Sequence, residues 1–384
     1  MKRTMTLVLL LAVLAAPAAA QQGGGRFPRK WLMAGLGAAV TGTIAVLYAT
    51  SFEGNIGGCS SATCVVPVTV GFGGLLGFMI GSEMDKLHRI RYGHAPPLSL
   101  RGVELALSSE PNDLAFRDDA IYVTGTEAVE VIATGPRMTR TAIKARGLRG
   151  IGPVAPDLIQ NTLLVGTSVG LYRFPLGTDE PGALAYAGEI SALSGDGHLL
   201  AVGLGPEIRI LRVNDSLEAT ADSLPEDARV VDLAWQGSQR LWVLTEDRLV
   251  AFDVDESGRP SARGAYTFGA VPRRLTLTDS LAIVSAGSGG VYAVDLRDPD
   301  HPAELANWSG ARFAYDAAQL YDRVYVAAGP EGLYVLRLTA EGFTPVGLSR
   351  SLGFVAAVEA GPDAIYLLDR AGYALRRVPV PAPH

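Results

Sequence analysis

The stretch Arg274–Trp308, RLTLTDSLAIVSAGSGGVYAVDLRDPDHPAELANW, decides the fold. Four short apolar or alternating runs, Arg274–Thr278, Leu281–Ala286, Gly290–Leu296 and Ala303–Trp308, are separated by Asp-Ser, Gly-Ser-Gly and Asp-Pro-Asp-His-Pro turns. Strand-forming runs of this length between Gly, Pro, Asp and Ser turns predict one four-stranded antiparallel sheet.

The same pattern recurs. Second strands align as AIYVTG, TLLVGT, LLAVGL, RLWVLT, LAIVSA, RVYVAA and AIYLLD, with equivalent residues Val123, Val165, Val202, Val243, Val284, Val326 and Leu367. The successive spacings are 42, 37, 41, 41, 42 and 41 residues. A four-stranded unit at this period predicts an all-β, seven-bladed β-propeller. The continuous apolar second strands imply sheets buried on both faces between neighbouring blades. The third strands, as in Gly170-LYRFPL and Glu207-IRILRV, read as alternating and are expected to face outward on one side. The last blade offers only Phe354–Glu359, Ala364–Asp369 and Tyr373–Val378, so Leu98–Leu107, LSLRGVELAL, is assigned as the strand that closes it, since an open ring would expose sheet edges.

The 384 residues accommodate this ring, residues 94–384, together with two N-terminal segments. Lys2 and Arg3, the apolar run Leu7–Leu14 and Ala18-Ala19-Ala20 predict a signal peptide over residues 1–20. Residues 21–93 hold two uncharged runs, Trp31–Tyr48 and Val65–Gly81, each near the lower length limit for a membrane-spanning helix. Small residues four apart, Ala34, Ala38 and Gly42 in the first and Gly73, Gly77 and Gly81 in the second, would let two helix backbones pack closely in lipid. The membrane is therefore an expected partner through the hairpin 31–81, and the propeller is expected outside the cytoplasm. Arginines and lysines flank both runs, and the positive-inside rule then conflicts with a cleaved signal, so the hairpin's orientation stays open. Cys59 and Cys64 in the connecting loop permit a small disulfide in an oxidising compartment, or two free thiols.

Two resemblances add to this. Residues 289–302, GGVYAVDLRDPDHP, resemble the LVIVD-type propeller repeat, and Tyr122-Val123 and Tyr325-Val326 are similar to the YVTN-type repeat. The LVIVD-type resemblance implies a surface-protein propeller and brings no catalytic residues. The segment 31–81 resembles the glycine-zipper two-helix segments of bacterial envelope proteins.

A formal charge of −6 argues against a nucleic-acid partner, which needs a basic face. The five histidines show no ligand spacing, Ser285 and Ser288 sit in turns without a Gly-x-Ser-x-Gly elbow, and the sequence assigns no metal, cofactor or catalytic residue. A non-enzymatic scaffold for a protein or ligand in the cell envelope is the expectation. The alternative is a propeller hydrolase or lyase with its site at the channel mouth. One polar set does recur with the repeat. Near ten residues before the second-strand anchors stand Asp113, Asp157, Asp232, Arg274 and Asp316. First strands line the channel of a propeller, so these side chains would converge there. They either fasten blade to blade through backbone N–H groups, or bind a cation or basic group with Arg274 setting orientation.

Overall fold

A computed structural model describes residues 95–380, apart from 118, 136, 147, 149–150, 152–156, 160–161, 179–181, 214–216, 221–223 and 226. The signal peptide, the glycine-rich hairpin and the cysteines lie outside the described residues.

Seven antiparallel sheets follow one another along the chain and form a seven-bladed β-propeller. The quoted stretch is blade five, with strands Arg274–Leu277, Leu281–Ser285, Val291–Asp295 and Ala303–Trp308. Blades one to four begin at Pro111, Asp157, Ala192 and Val230, blade six at Asp316 and blade seven at Val355. Six sheets have four strands; blade three adds a short piece, Leu224–Pro225, on its third strand.

Packing explains the order. Seven apolar clusters occur among the described residues, and each draws its side chains mainly from two neighbouring blades. Between blades four and five, Trp242, Leu244 and Ala251 meet Ala282, Val284 and Val294. Between blades seven and one, Leu107, Leu114, Ile121 and Ile132 meet Tyr366, Leu368 and Leu375. The second strands need apolar residues on both faces because each face supplies a different cluster: Ile283 points to blade six and Val284 to blade four.

The third strands of blades five and six depart from the expected alternation, which Glu207–Val213 of blade three keeps, with Ile208, Ile210 and Leu211 buried and Arg212 exposed. Val291–Val294 and Leu333–Leu336 are buried throughout, and exposure falls instead on fourth strands such as Pro260–Thr267. A third strand lies inside its sheet with neighbouring blades on both faces, which accounts for these buried runs.

Blade seven is completed from the other end of the propeller sequence. Val103–Ala106 pairs antiparallel with Ala374–Pro379, Val103 opposite Arg377 and Ala106 opposite Ala374. The Leu107 N–H donates to the Tyr373 carbonyl at 2.7 Å.

Candidate polar belt and mouth of the central channel

The first strand of each blade begins near one end of the channel and runs toward the other, which positions its early residues together. Asp113, Asp232, Arg274 and Asp316 occupy these positions on blades one, four, five and six. The structure brings all four together. Asp157 begins the first strand of blade two, opposite Leu164, and its side chain is outside the described set.

Two of the aspartates join adjacent blades in the same way. Asp232 Oδ1 accepts from its own Leu233 N–H and Oδ2 from Leu275 N–H of blade five, both at 2.9 Å. Asp316 Oδ1 accepts from Ala317 N–H at 2.8 Å and Oδ2 from Val358 N–H of blade seven at 2.9 Å. Each carboxylate thus satisfies two main-chain donors that would otherwise be stranded at the channel wall. Asp113 differs. Its Oδ1 accepts from Leu114 N–H, while Oδ2 lies 2.6 Å from Arg274 Nη2, across the channel.

Arg274 divides the channel. On the side where first strands finish is a cavity of about 320 Å³ lined by Asp113, Asp232, Asp316, Glu359, Arg117 and Trp235, among others. On the side where they begin is a mouth of about 470 Å³ lined by Arg229, Glu246, Val271, Arg273, Tyr315 and Arg370, among others. Arg274 lines both.

The belt holds more carboxylates than one guanidinium can balance away from water. Burial pushes the Asp113 carboxyl up to about 7, against the pull of Arg274 and with a push from Asp316 and Asp232. Burial raises Asp232 and Asp316 too, again opposed by Arg274. Burial alone would weaken the Arg274 guanidinium, and Asp113, Asp232 and Asp316 more than offset this, so its proton is held more tightly than usual. Glu359 is raised to about 8 by burial, with Arg117 opposing and Asp316 and Asp113 adding to the rise. Among the described residues no three His, Cys, Asp or Glu side chains are grouped to hold a metal. The cation that Asp113, Asp232 and Asp316 face is Arg274.

Glu359 and Arg117 belong to this chamber but are absent from the sequence-derived set. Strand geometry could have found them, since every second residue of a strand shares a face: Glu359 is two beyond Ala357, and Arg117 four beyond Asp113.

At the mouth, the loops before blades six and seven form an aromatic row. Phe313 and Tyr315 have ring centroids 4.6 Å apart, and Tyr315 and Phe354 are 5.3 Å apart in an edge-on arrangement. The Arg273 guanidinium sits over Phe313, 4.9 Å from the ring centroid. Val271 beside it is 62% exposed.

No protein-family model matches the chain, and no curated protein matches its sequence. Solved structures match the fold. A chain of the mitotic checkpoint complex superposes with a TM-score of 0.61 at 13% identity, covering 75% of this chain and 98% of that one. The WD40 domain of Neurospora crassa Pan2 gives 0.57 at 13% identity, over 75% and 98%. The WD40 β-propeller domain of Doa1 gives 0.57 at 14%, over 72% and 96%. At these identities the likeness shows the propeller fold alone.

Proposed function

We propose that the protein is a non-enzymatic interaction scaffold, exported and held at a membrane of the cell envelope, whose propeller binds a protein partner at the channel mouth. One observation carries the binding part: the row Phe313–Tyr315–Phe354 with Arg273 stacked on its end stands at the rim of an open mouth. Aromatic and arginine side chains are the types that anchor protein interfaces, because they bring large contact area at low entropic cost together with directed polar groups. The belt beneath is built for a different purpose. Its carboxylates are engaged by backbone donors and by Arg274, which suits a fastener holding blades in register.

Export and anchoring are supported by the residue pattern alone: Lys2-Arg3 with the apolar run and Ala18–Ala20, then the two uncharged glycine-rich runs within 31–81. The LVIVD-type pattern of residues 289–302 supports a surface-protein repeat. A reporter enzyme that works only outside the cytoplasm, fused after His384, should be active, and the chain should stay in the membrane fraction through a high-salt wash. An inactive reporter, or release by salt, would overturn export or anchoring respectively.

A further inference from the structure

We infer that the mouth chamber is a binding site for an acidic peptide segment, with Arg273 receiving a carboxylate and the aromatic row receiving an adjacent apolar side chain. This rests on the scaffold reading and names the partner's chemistry.

The lining of the mouth is unbalanced in charge. Four arginines, Arg229, Arg273, Arg274 and Arg370, face it against the single carboxylate of Glu246. Three of the four are engaged: Arg229 with Glu189 at 2.6 Å, Arg370 with Glu110 at 2.7 Å and Arg274 with Asp113 at 2.6 Å. The Arg229 and Arg370 pairs are exposed at the rim, where an ion pair contributes little and exchanges partners easily. Arg273 pairs with no carboxylate among the described residues. Stacking on Phe313 fixes the plane of its guanidinium and leaves the N–H edges free to meet a carboxylate as a fork.

The occupant must also cover apolar surface, since exposed Val271 and the ring of Tyr315 border the arginines. A plain polyanion does not fit. The chain as a whole carries −6 and repels extended negative charge, whereas a few carboxylates flanking an apolar side chain match the local pattern.

The full chain, purified in mild detergent, would be titrated by fluorescence anisotropy with a short capped peptide of aspartates and glutamates around a central Leu-Phe pair. Two controls are its amide counterpart, with every acid replaced by Asn or Gln, and an acidic peptide lacking the apolar pair. Binding of the first peptide alone, weakening with salt and falling about tenfold or more in Arg273→Gln, supports the inference. Phe313→Ala should weaken it too; should that variant fail to fold, Arg273→Gln on the exposed loop still decides. Equal binding of the acidic and amide peptides, or an Arg273→Gln variant that binds like the parent, overturns it. A photo-crosslinking residue at Val271, introduced in the cell, tests the scaffold reading by itself. Absence of any crosslinked protein there sinks that reading and this one with it. A crosslink accompanied by charge-blind peptide binding sinks only the acidic-segment inference.

Discussion

Arg274 and Asp113 stand on blades that are not neighbours, yet Nη2 of one lies 2.6 Å from Oδ2 of the other, so an ion pair crosses the channel. Blade-to-blade clusters hold the ring around its circumference, and this contact ties it across the middle. Asp232 and Asp316 flank Arg274 from the blades on either side.

Replacing Arg274 with Met leaves Asp113, Asp232 and Asp316 without their shared counter-charge. Breaking a buried pair from one side costs about 3–5 kcal/mol, because the remaining charge is stranded. The loss should be large near neutral pH and smaller near about pH 5, where the carboxyls with raised pKa can take up protons. Urea unfolding midpoints at the two pH values check this; an equal loss at both would mean that Arg274 acts through packing alone.

Glu359 supplies a second pH test, with a definite sign. Its carboxyl is raised to about 8 in the folded chain, so the native state holds that proton more tightly than the unfolded one. Stability from this group is then full below its ordinary carboxyl range, falls as pH rises through the interval up to about 8, and stays flat beyond. Asp113, raised to about 7, acts in the same direction over a narrower interval. Glu359→Gln should therefore melt higher than the parent at about pH 9 and differ little at about pH 5. A variant that gains stability at low pH instead would reverse the assigned direction.

The aspartates separate fastening from ligand binding. Asp316 serves two buried N–H groups, those of Ala317 and Val358, so Asp316→Ala strands both and should cost about 2–4 kcal/mol. Asp316→Asn keeps one acceptor oxygen and should cost about half as much. Neither value should change with added Ca²⁺, and calorimetry of the intact chain should register no Ca²⁺ binding. Heat of Ca²⁺ binding that disappears in Asp316→Asn would restore the cation-site alternative.

The ring was legible in the sequence because second strands are buried on both faces. LAIVSA and AIYLLD are unbroken apolar runs, and a period of about 41 residues stands out against polar turns. Third strands were legible in part: the alternation read in EIRILRV is kept, with Ile208, Ile210 and Leu211 buried and Arg212 exposed, whereas Val291–Val294 and Leu333–Leu336 are buried throughout because they lie inside the sheet between blades. Asp113, Arg274 and Asp316 were found by counting back ten residues from the second-strand anchors, and Asp232 by letting that interval vary by one, which selects one residue per first strand. That procedure passes over Glu359 and Arg117, which sit further along the same wall. The Arg273–Phe313 stack was invisible because both residues lie in loops between blades, where no period operates.

Gly332 shows why third strands here open with glycine. It has φ +94°, and a Cβ added there would stand 2.0 Å from the Ser349 carbonyl oxygen on the paired fourth strand; Gly290 meets the Trp308 carbonyl in the same way. Gly342 also has positive φ, +111°, but only Ala306 Cβ at 3.8 Å faces it. Gly332→Ala therefore combines backbone strain of about 1–3 kcal/mol with a steric clash, whereas Gly342→Ala carries the strain alone. Thermal unfolding of the two variants should rank them in that order, and the reverse order would mean that the blade absorbs the clash.

Closure of the ring gives the last prediction. Val103–Ala106 is mostly exposed, so burial of its own side chains contributes little; its value lies in covering the edge of Ala374–Pro379. That edge strand is buried at Ala374, Leu375, Arg377 and Val378, and uncovering it would present unpaired N–H and C=O groups beside apolar side chains, a template for pairing with other chains. Gly102 allows the approach, since a Cβ there would come within 2.5 Å of the Arg377 carbonyl oxygen. Gly102→Val in the full chain should therefore loosen the strand and raise aggregation on heating. Removing residues 1–108, which also takes Leu107 from the apolar cluster between blades seven and one, should have a stronger effect than removing residues 1–94. Light scattering during slow heating separates the three. If the two truncated chains stay equally dispersed, the ring holds without its closing strand.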